Sequence, residues 1–337
     1  MIDARYRSLA WSHGVLAVQR LGAMLAPVTF VLADGRQVSP MHIAPWAGEP
    51  GTESLPGILR RLRGEWPCVP FGYSVPPDGF AAEWAECIRP AEAGEEVHGH
   101  SSNHEWRWEE AALGALRLSI VYPEQSPVKR VERTVTPDPH APAIDLEFRI
   151  EVREDCRLPI GLHPVFRLPA APGGARLDPG RFDHGLTYPG TVEASAPLFA
   201  KNARFTDLQR VPSRTGGLVD ATRLPLAVDT EELLQLNGID GSAALVNEAE
   251  GYRMTLSWQR EHFPSLLLWL SNRGRKMKPW NGRHVAIGVE PICSPFGLGP
   301  ATALADNPIA HGGTPTALGF RRGEPFVTRY RLEAAAL

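Results

Sequence analysis

Apolar and polar residues alternate with a period of two wherever a pattern is visible. In Ile144 to Val152, Ile144, Leu146, Phe148, Ile150 and Val152 face one way and Asp145, Glu147, Arg149 and Glu151 the other, which predicts a long half-buried strand. The same alternation runs through Leu116-Leu118-Ile120-Tyr122, Tyr252-Met254-Leu256-Trp258 and Phe326-Thr328-Tyr330-Leu332. Turn pairs stand between such segments: Asp34-Gly35, Pro77-Asp78-Gly79, Pro172-Gly173-Gly174 and Asn281-Gly282. No stretch of about 12 residues carries a 3.6-residue period, so helices are expected to be few and short. The Pro/Gly-rich region from about Ala170 to Pro225 reads as an excursion with short strands. Many long alternating strands must each bury one face, and two stacked sheets do that. The expected architecture is therefore all-β, one large antiparallel β-sandwich domain over residues 1–337, with a large barrel as the alternative.

Composition narrows the function classes. The chain has 337 residues, with 35 Lys and Arg against 38 Asp and Glu, a formal net charge of −3. No basic block is present, so the electrostatic footprint expected for nucleic acid or an anionic membrane is missing. The 32 glycines and 32 prolines supply turns. Cys68, Cys87, Cys156 and Cys293 lie far apart with no C-x-x-C pair, so they read as reduced, mostly buried thiols. The apolar run Leu21 to Ala33 is broken by Pro27 and followed by Asp34-Gly35, so a β-hairpin is expected there rather than a signal or membrane segment. These features predict a cytoplasmic protein.

Three segments concentrate chemistry. In Val97-His98-Gly99-His100-Ser101-Ser102-Asn103-His104-Glu105-Trp106, an extended backbone would project His98 and His100 to one face, as a metal site, a polar substrate wall or simply loop histidines. In Pro159 to Phe166, His163 shares a strand face with Gly161 and Val165, as a satisfied core histidine or as a group over open space. In Val285 to Pro291, Val285, Ile287 and Val289 form an apolar row, and Ala286, Gly288 and Glu290 line the opposite face. Glu290 is then a solvated strand end or a site carboxyl with a raised pKa. A histidine and a carboxylate facing one cleft supply a general acid and a general base. The sequence has no G-x-S-x-G elbow, no P-loop and no G-x-G-x-x-G after a strand, so serine hydrolase, nucleotide and dinucleotide chemistry lack their minimum signatures. Acid/base chemistry without a cofactor or metal is the class that remains.

Leu62-Arg63-Gly64-Glu65-Trp66-Pro67-Cys68-Val69-Pro70-Phe71-Gly72, the H-G run from His98 to Trp106, Leu162-His163-Pro164-Val165-Phe166 and Val289-Glu290-Pro291 occur in one order. In that order they resemble the aldose 1-epimerase (galactose mutarotase-like) superfamily, most nearly its hexose-6-phosphate mutarotase branch. The resemblance implies a β-supersandwich binding a sugar on one sheet, with Glu290 as base on the anomeric hydroxyl, His163 as acid on the ring oxygen, and His98 steadying the developing charge. It further implies substrate contacts from Arg63 and Asp240, with His100 and Trp106 in the same neighbourhood and Trp46 or Trp280 as other platforms for a sugar face. The branch carries an arginine where Ser102 stands, so an unphosphorylated aldose is at least as well suited, unless Arg63, Arg107 or Arg273 supplies the charge. His100 and His104 have no counterpart in the pattern. The expected partner is a small-molecule sugar, and a homodimer is compatible with the reading. Two rivals stay open: a non-catalytic carbohydrate-binding protein on the same fold, and a cupin-like metalloenzyme using His98, His100 and Glu105, whose second motif is missing.

Overall fold

The computed structural model describes residues 5–337. Two large antiparallel sheets form the frame. One has nine strands, in the order Arg223–Leu224, Ala175–Asp178, Ser242–Asn247, Tyr252–Trp258, Phe326–Ala336, Ala143–Val152, Val128–Pro137, Leu116–Val121 and Arg107–Glu109. The other has eight. Its path runs Arg204–Phe205, His184–Thr187, Thr230–Asn237, Ser265–Asn272, Val285–Cys293, Ile160–Leu162 and Pro67–Cys68, and Val165–Arg167 pairs with Val285–Cys293 off that path. An N-terminal sheet of Tyr6–Trp11, Gly14–Gln19, Leu25–Val31 and Gln37–Val38 packs onto the same core, and the expected hairpin turns at Asp34-Gly35. The sandwich and the alternating strands are as the pattern predicts. Among the described residues the longest helix, Gly299–Leu304, has six residues, and no helix is long and apolar enough to cross a membrane. All four cysteines are free thiols, and Cys68, Cys87 and Cys293 are buried.

The eight-stranded sheet is buried on both faces, for different reasons. Leu234, Leu236, Leu266, Leu268, Leu270, Ile287 and Val289 fill the sandwich interior with Leu146, Phe148, Met254, Leu256, Tyr330 and Leu332 of the nine-stranded sheet. On the outer face Val165, Leu267, Trp269, Ala286 and Ile292 pack under a layer of connections carrying Trp46, Trp66, Phe71, Trp84, Trp280 and Phe296. Functional groups on this outer face are therefore roofed by loops.

A buried ion pair joins the layers. Arg133, on the nine-stranded sheet, binds the carboxylate of Glu65, which also accepts the Tyr330 hydroxyl at 2.7 Å. Arg133 also donates to the Ala23 and Glu65 carbonyls. Both charges are fully buried, and the bonds to the two Arg133 terminal nitrogens and to both Glu65 oxygens offset much of their desolvation, while Arg133 Nε stays without a partner. Glu65 precedes Trp66, so this bolt holds the roof of the outer face in place.

Candidate active site

Two short strands, Ile160–Leu162 and Val165–Arg167, pair with the single strand Val285–Cys293 in one continuous register: Gly161 faces Ile292 and Val165 faces Gly288. That register runs through the intervening His163 and sets it directly opposite Glu290. Opposite residues of an antiparallel pair project to the same face, and here it is the outer one. His163 Nε2 lies 3.5 Å from Glu290 Oε1. The two residues are 5 % and 1 % exposed, and His163 Nδ1 and Glu290 Oε1 are buried without a hydrogen-bond partner. Buried polar atoms are normally paired, so two orphans on adjacent acid and base groups mark a site for a polar ligand. Burial drives the two groups in opposite senses. It pushes the Glu290 carboxyl well above its ordinary range and His163 well below, because each neutral form loses less on desolvation.

Small residues make the room. A Cβ on Gly288 would fall 2.2 Å from Glu290 Oε1, and one on Gly161 would fall 2.4 Å from the Phe71 ring. Glycine at 288 lets the carboxyl lie back across its own strand, so the space left by the small residues is taken up by the Glu290 carboxyl itself. Trp66 stacks on His163 with ring centroids 4.1 Å apart and an angle of 15°, and Trp269 stands edge-on at 5.8 Å.

His98 completes the cluster, its ring 5.1 Å from that of His163 and perpendicular to it. Its Nδ1 accepts the backbone N–H of Gly72 at 3.2 Å, so in the neutral ring the proton is on Nε2. Burial holds its pKa down to about 4. The extended reading of this segment is corrected: Gly99–Asn103 is a helix, preceded by His98 in the left-handed region. Ser102 Oγ donates to the His98 carbonyl, and the Asn103 side chain donates to the Val97 and Gly99 carbonyls and accepts from Ile58 N–H. These local polar bonds outcompete a strand.

The helix separates His98 from His100. His100 faces Glu96, 3.5 Å away, and Tyr122 rather than His163. The cupin-like set is not assembled either, since Glu105 pairs with Arg20 at 3.2 Å. Trp106 is wholly buried and gives its indole N–H to the Ser101 carbonyl, so it is core and no sugar platform. Arg63 is buried beside the N-terminal hairpin, its Nε bonded to the Arg61 carbonyl and its guanidinium 5.4 Å from the Tyr6 ring. Asp240 is exposed in the Gly238–Gly241 turn and faces the Arg181 backbone N–H at 3.4 Å. The turn reading fits it. None of these three contacts is with His163 or Glu290.

A second cluster, which the sequence did not reveal beyond Trp46 and Trp280, adjoins the pair. Trp269 stacks on His284 at 5.3 Å, and Trp280 stands edge-on to both, 5.8 Å and 4.9 Å away. Glu231, 1 % exposed, accepts the Trp269 indole N–H at 2.6 Å and the Ser271 hydroxyl at 3.0 Å, with Arg275 Nε at 3.5 Å. The Arg275 guanidinium lies 4.6 Å from the centre of the Trp280 ring. Of the arginines considered for a phosphate, Arg273 is paired with Asp229 at 2.8 Å.

No family model matches the sequence, and no curated protein matches it in sequence. Solved structures do match. A candidate aldose 1-epimerase from Escherichia coli K12 is 14 % identical, covering 98 % of this chain and 99 % of its own, with a TM-score of 0.64. A galactose mutarotase related enzyme from Lactobacillus acidophilus is 13 % identical, covering 98 % and 97 %, with a TM-score of 0.60. An aldose epimerase homologue from C. elegans is 13 % identical, covering 98 % and 99 %, with a TM-score of 0.59. The chain has the galactose mutarotase-like β-sandwich fold.

Proposed function

We propose that this protein is an aldose 1-epimerase that interconverts the α and β anomers of an unphosphorylated hexose or related aldose. The observation that carries the reading is the cross-strand pair: His163 and Glu290, 3.5 Å apart, buried, each with an unpartnered polar atom.

Mutarotation consumes no net proton, so one proton shared by two groups is enough to run it. The reaction starts from the state in which the pair's one proton is on His163, as carboxylate and imidazolium. Glu290 takes the anomeric hydroxyl proton while His163 protonates the ring oxygen. The bond from C1 to the ring oxygen breaks, its electron pair goes to that oxygen, and C1 becomes a carbonyl. After rotation about C1–C2 the freed hydroxyl attacks the other carbonyl face, returning its proton to His163, and Glu290 protonates the new anomeric oxygen. His98, with its proton on Nε2, donates toward the ring oxygen. Acid and base each contribute about 10²–10⁴-fold. Trp66, wholly buried and stacked on His163, holds that ring in place.

Two observations favour a neutral sugar over a phosphorylated one. Ser102 is buried and engaged with the His98 carbonyl, and Arg275 already faces Glu231. The test is polarimetry or NMR of freshly dissolved α-aldoses and hexose 6-phosphates. Acceleration for a neutral aldose, lost in Glu290→Gln, is the expected result. A sugar that binds without any acceleration would assign the fold to carbohydrate binding instead.

A further inference from the structure

The helix that removes His100 from the acid/base pair brings it to another set of groups. His100 Nδ1 lies 3.5 Å from Glu96 Oε2, and His104 Nε2 lies 2.9 Å and 3.1 Å from the two Glu96 oxygens. One ligand atom from each of the three residues falls within 4.8 Å of the others. The two imidazoles, four positions apart, stack with centroids 4.0 Å apart. Ligands held tetrahedrally at the usual zinc distances are about 3.4 Å from one another, so both imidazoles already stand near that separation from the carboxylate and side-chain rotation has to close only the gap between the rings. Two imidazoles and a carboxylate are a donor set for a borderline divalent metal.

His100 is also prepared in the manner of a metal ligand. The Tyr122 ring, 5.0 Å away, packs against it and holds its orientation, and such outer contacts are what fix ligating histidines. Two like rings stacked beside one carboxylate are better served by a dication than by protons, which would set two positive imidazoliums face to face. The half-exposed His104 and the partly exposed Glu96 leave the remaining coordination positions to water.

We propose that Glu96, His100 and His104 bind one divalent transition-metal ion of the zinc class. The ion joins the connection before the helix, through Glu96, to the helix itself, and so clamps the segment that holds His98 over His163. It stands outside the acid/base pair and takes no part in the proton transfers.

The test uses the full chain, stripped with a chelator and titrated with Zn²⁺ by calorimetry. One ion per chain is expected, with a rise in Tm, and at least tenfold weaker binding in both His104→Ala and Glu96→Gln. Should a variant misfold, the wild-type protein still decides the matter. Zn²⁺ should block diethylpyrocarbonate modification of His100 and His104, read by mass spectrometry, without protecting the surface residue His140. Absence of Zn²⁺ binding, unchanged affinity in the variants, or protection at His98 and His163 instead would overturn the proposal. None of these readouts depends on mutarotation.

Discussion

His163 and Glu290 stand directly opposite one another on neighbouring antiparallel strands, so their separation is set by the register of the sheet and not by loops. In the proposed mechanism the two share one proton, so removing either should cost nearly as much as removing both. His163→Asn and Glu290→Gln are each expected to lower kcat by about 10²–10⁴-fold, with the double variant falling little further. Progress curves by polarimetry for the three variants check this, and additive losses would show that the residues act independently.

Gly288 is the place to displace the carboxyl without deleting it. Gly288→Ala sets a methyl group 2.2 Å from the present position of Glu290 Oε1. Since about 1 Å of misplacement can cost on the order of 10²-fold, kcat should fall by about that factor while far-UV circular dichroism stays unchanged. Wild-type turnover would mean that the carboxyl position is not critical.

In the proposed mechanism His98 acts through its Nε2–H. His98→Ala should lose about 10²–10³-fold in kcat, the usual loss of one preorganised donor. His98→Gln, which keeps an N–H at a similar reach, should recover part of it with little change in KM. Equal activity of the two variants would indicate that His98 is only a packing residue.

Acid sensitivity should trace in part to His42. This buried ring sits edge-on to His284, and desolvation, with Arg167 nearby, lowers its pKa to about 4. Below pH 6.5 the unfolded chain takes up a proton that the folded one refuses, so stability present above that value is lost as pH falls toward 4. The contribution is on the order of 3 kcal/mol. Glu232, raised to about 7 by burial, works the other way: its contribution is present below about pH 4.5 and is lost as pH rises toward 7. His42→Phe should therefore show a smaller drop in Tm between pH 6.5 and 4 than the wild type.

The Glu65–Arg133 bolt should be costly to break from one side. Glu65→Ala leaves a buried guanidinium uncompensated and should lose about 3–5 kcal/mol in denaturant unfolding, whereas Glu65→Gln, which keeps one acceptor oxygen for Arg133 and can turn its NH2 to donate to the Tyr330 hydroxyl, should lose less.

Much of the frame was legible because the nine-stranded sheet alternates plainly: Ile144 to Val152 differs from the observed strand by one residue. The row leading to Glu290 was legible for the same reason, with Ala286 and Gly288 too small to hide the carboxyl's face. The aromatic cluster was not. Ser265–Asn272 is buried at every position and Thr230–Asn237 at all but one, so neither shows the alternation that would assign Trp269 or Glu231 to a face. The Gly99–Asn103 helix escaped because it is held by side-chain bonds from Ser102 and Asn103 to distant or preceding backbone, and a five-residue helix carries too little periodicity to see.

The two-sided burial of the eight-stranded sheet also protects the chain during folding. If Val285–Cys293 slipped by one residue, Glu290 would turn into the sandwich interior among Leu236, Leu266 and Leu268, and Val289 would take its place beneath the loops. A carboxyl stranded in that oil-like layer is far costlier than a misplaced valine. The groups proposed to do the chemistry thus also penalise wrong pairings, and a variant with apolar residues at both 163 and 290 would lose that discrimination along with its activity.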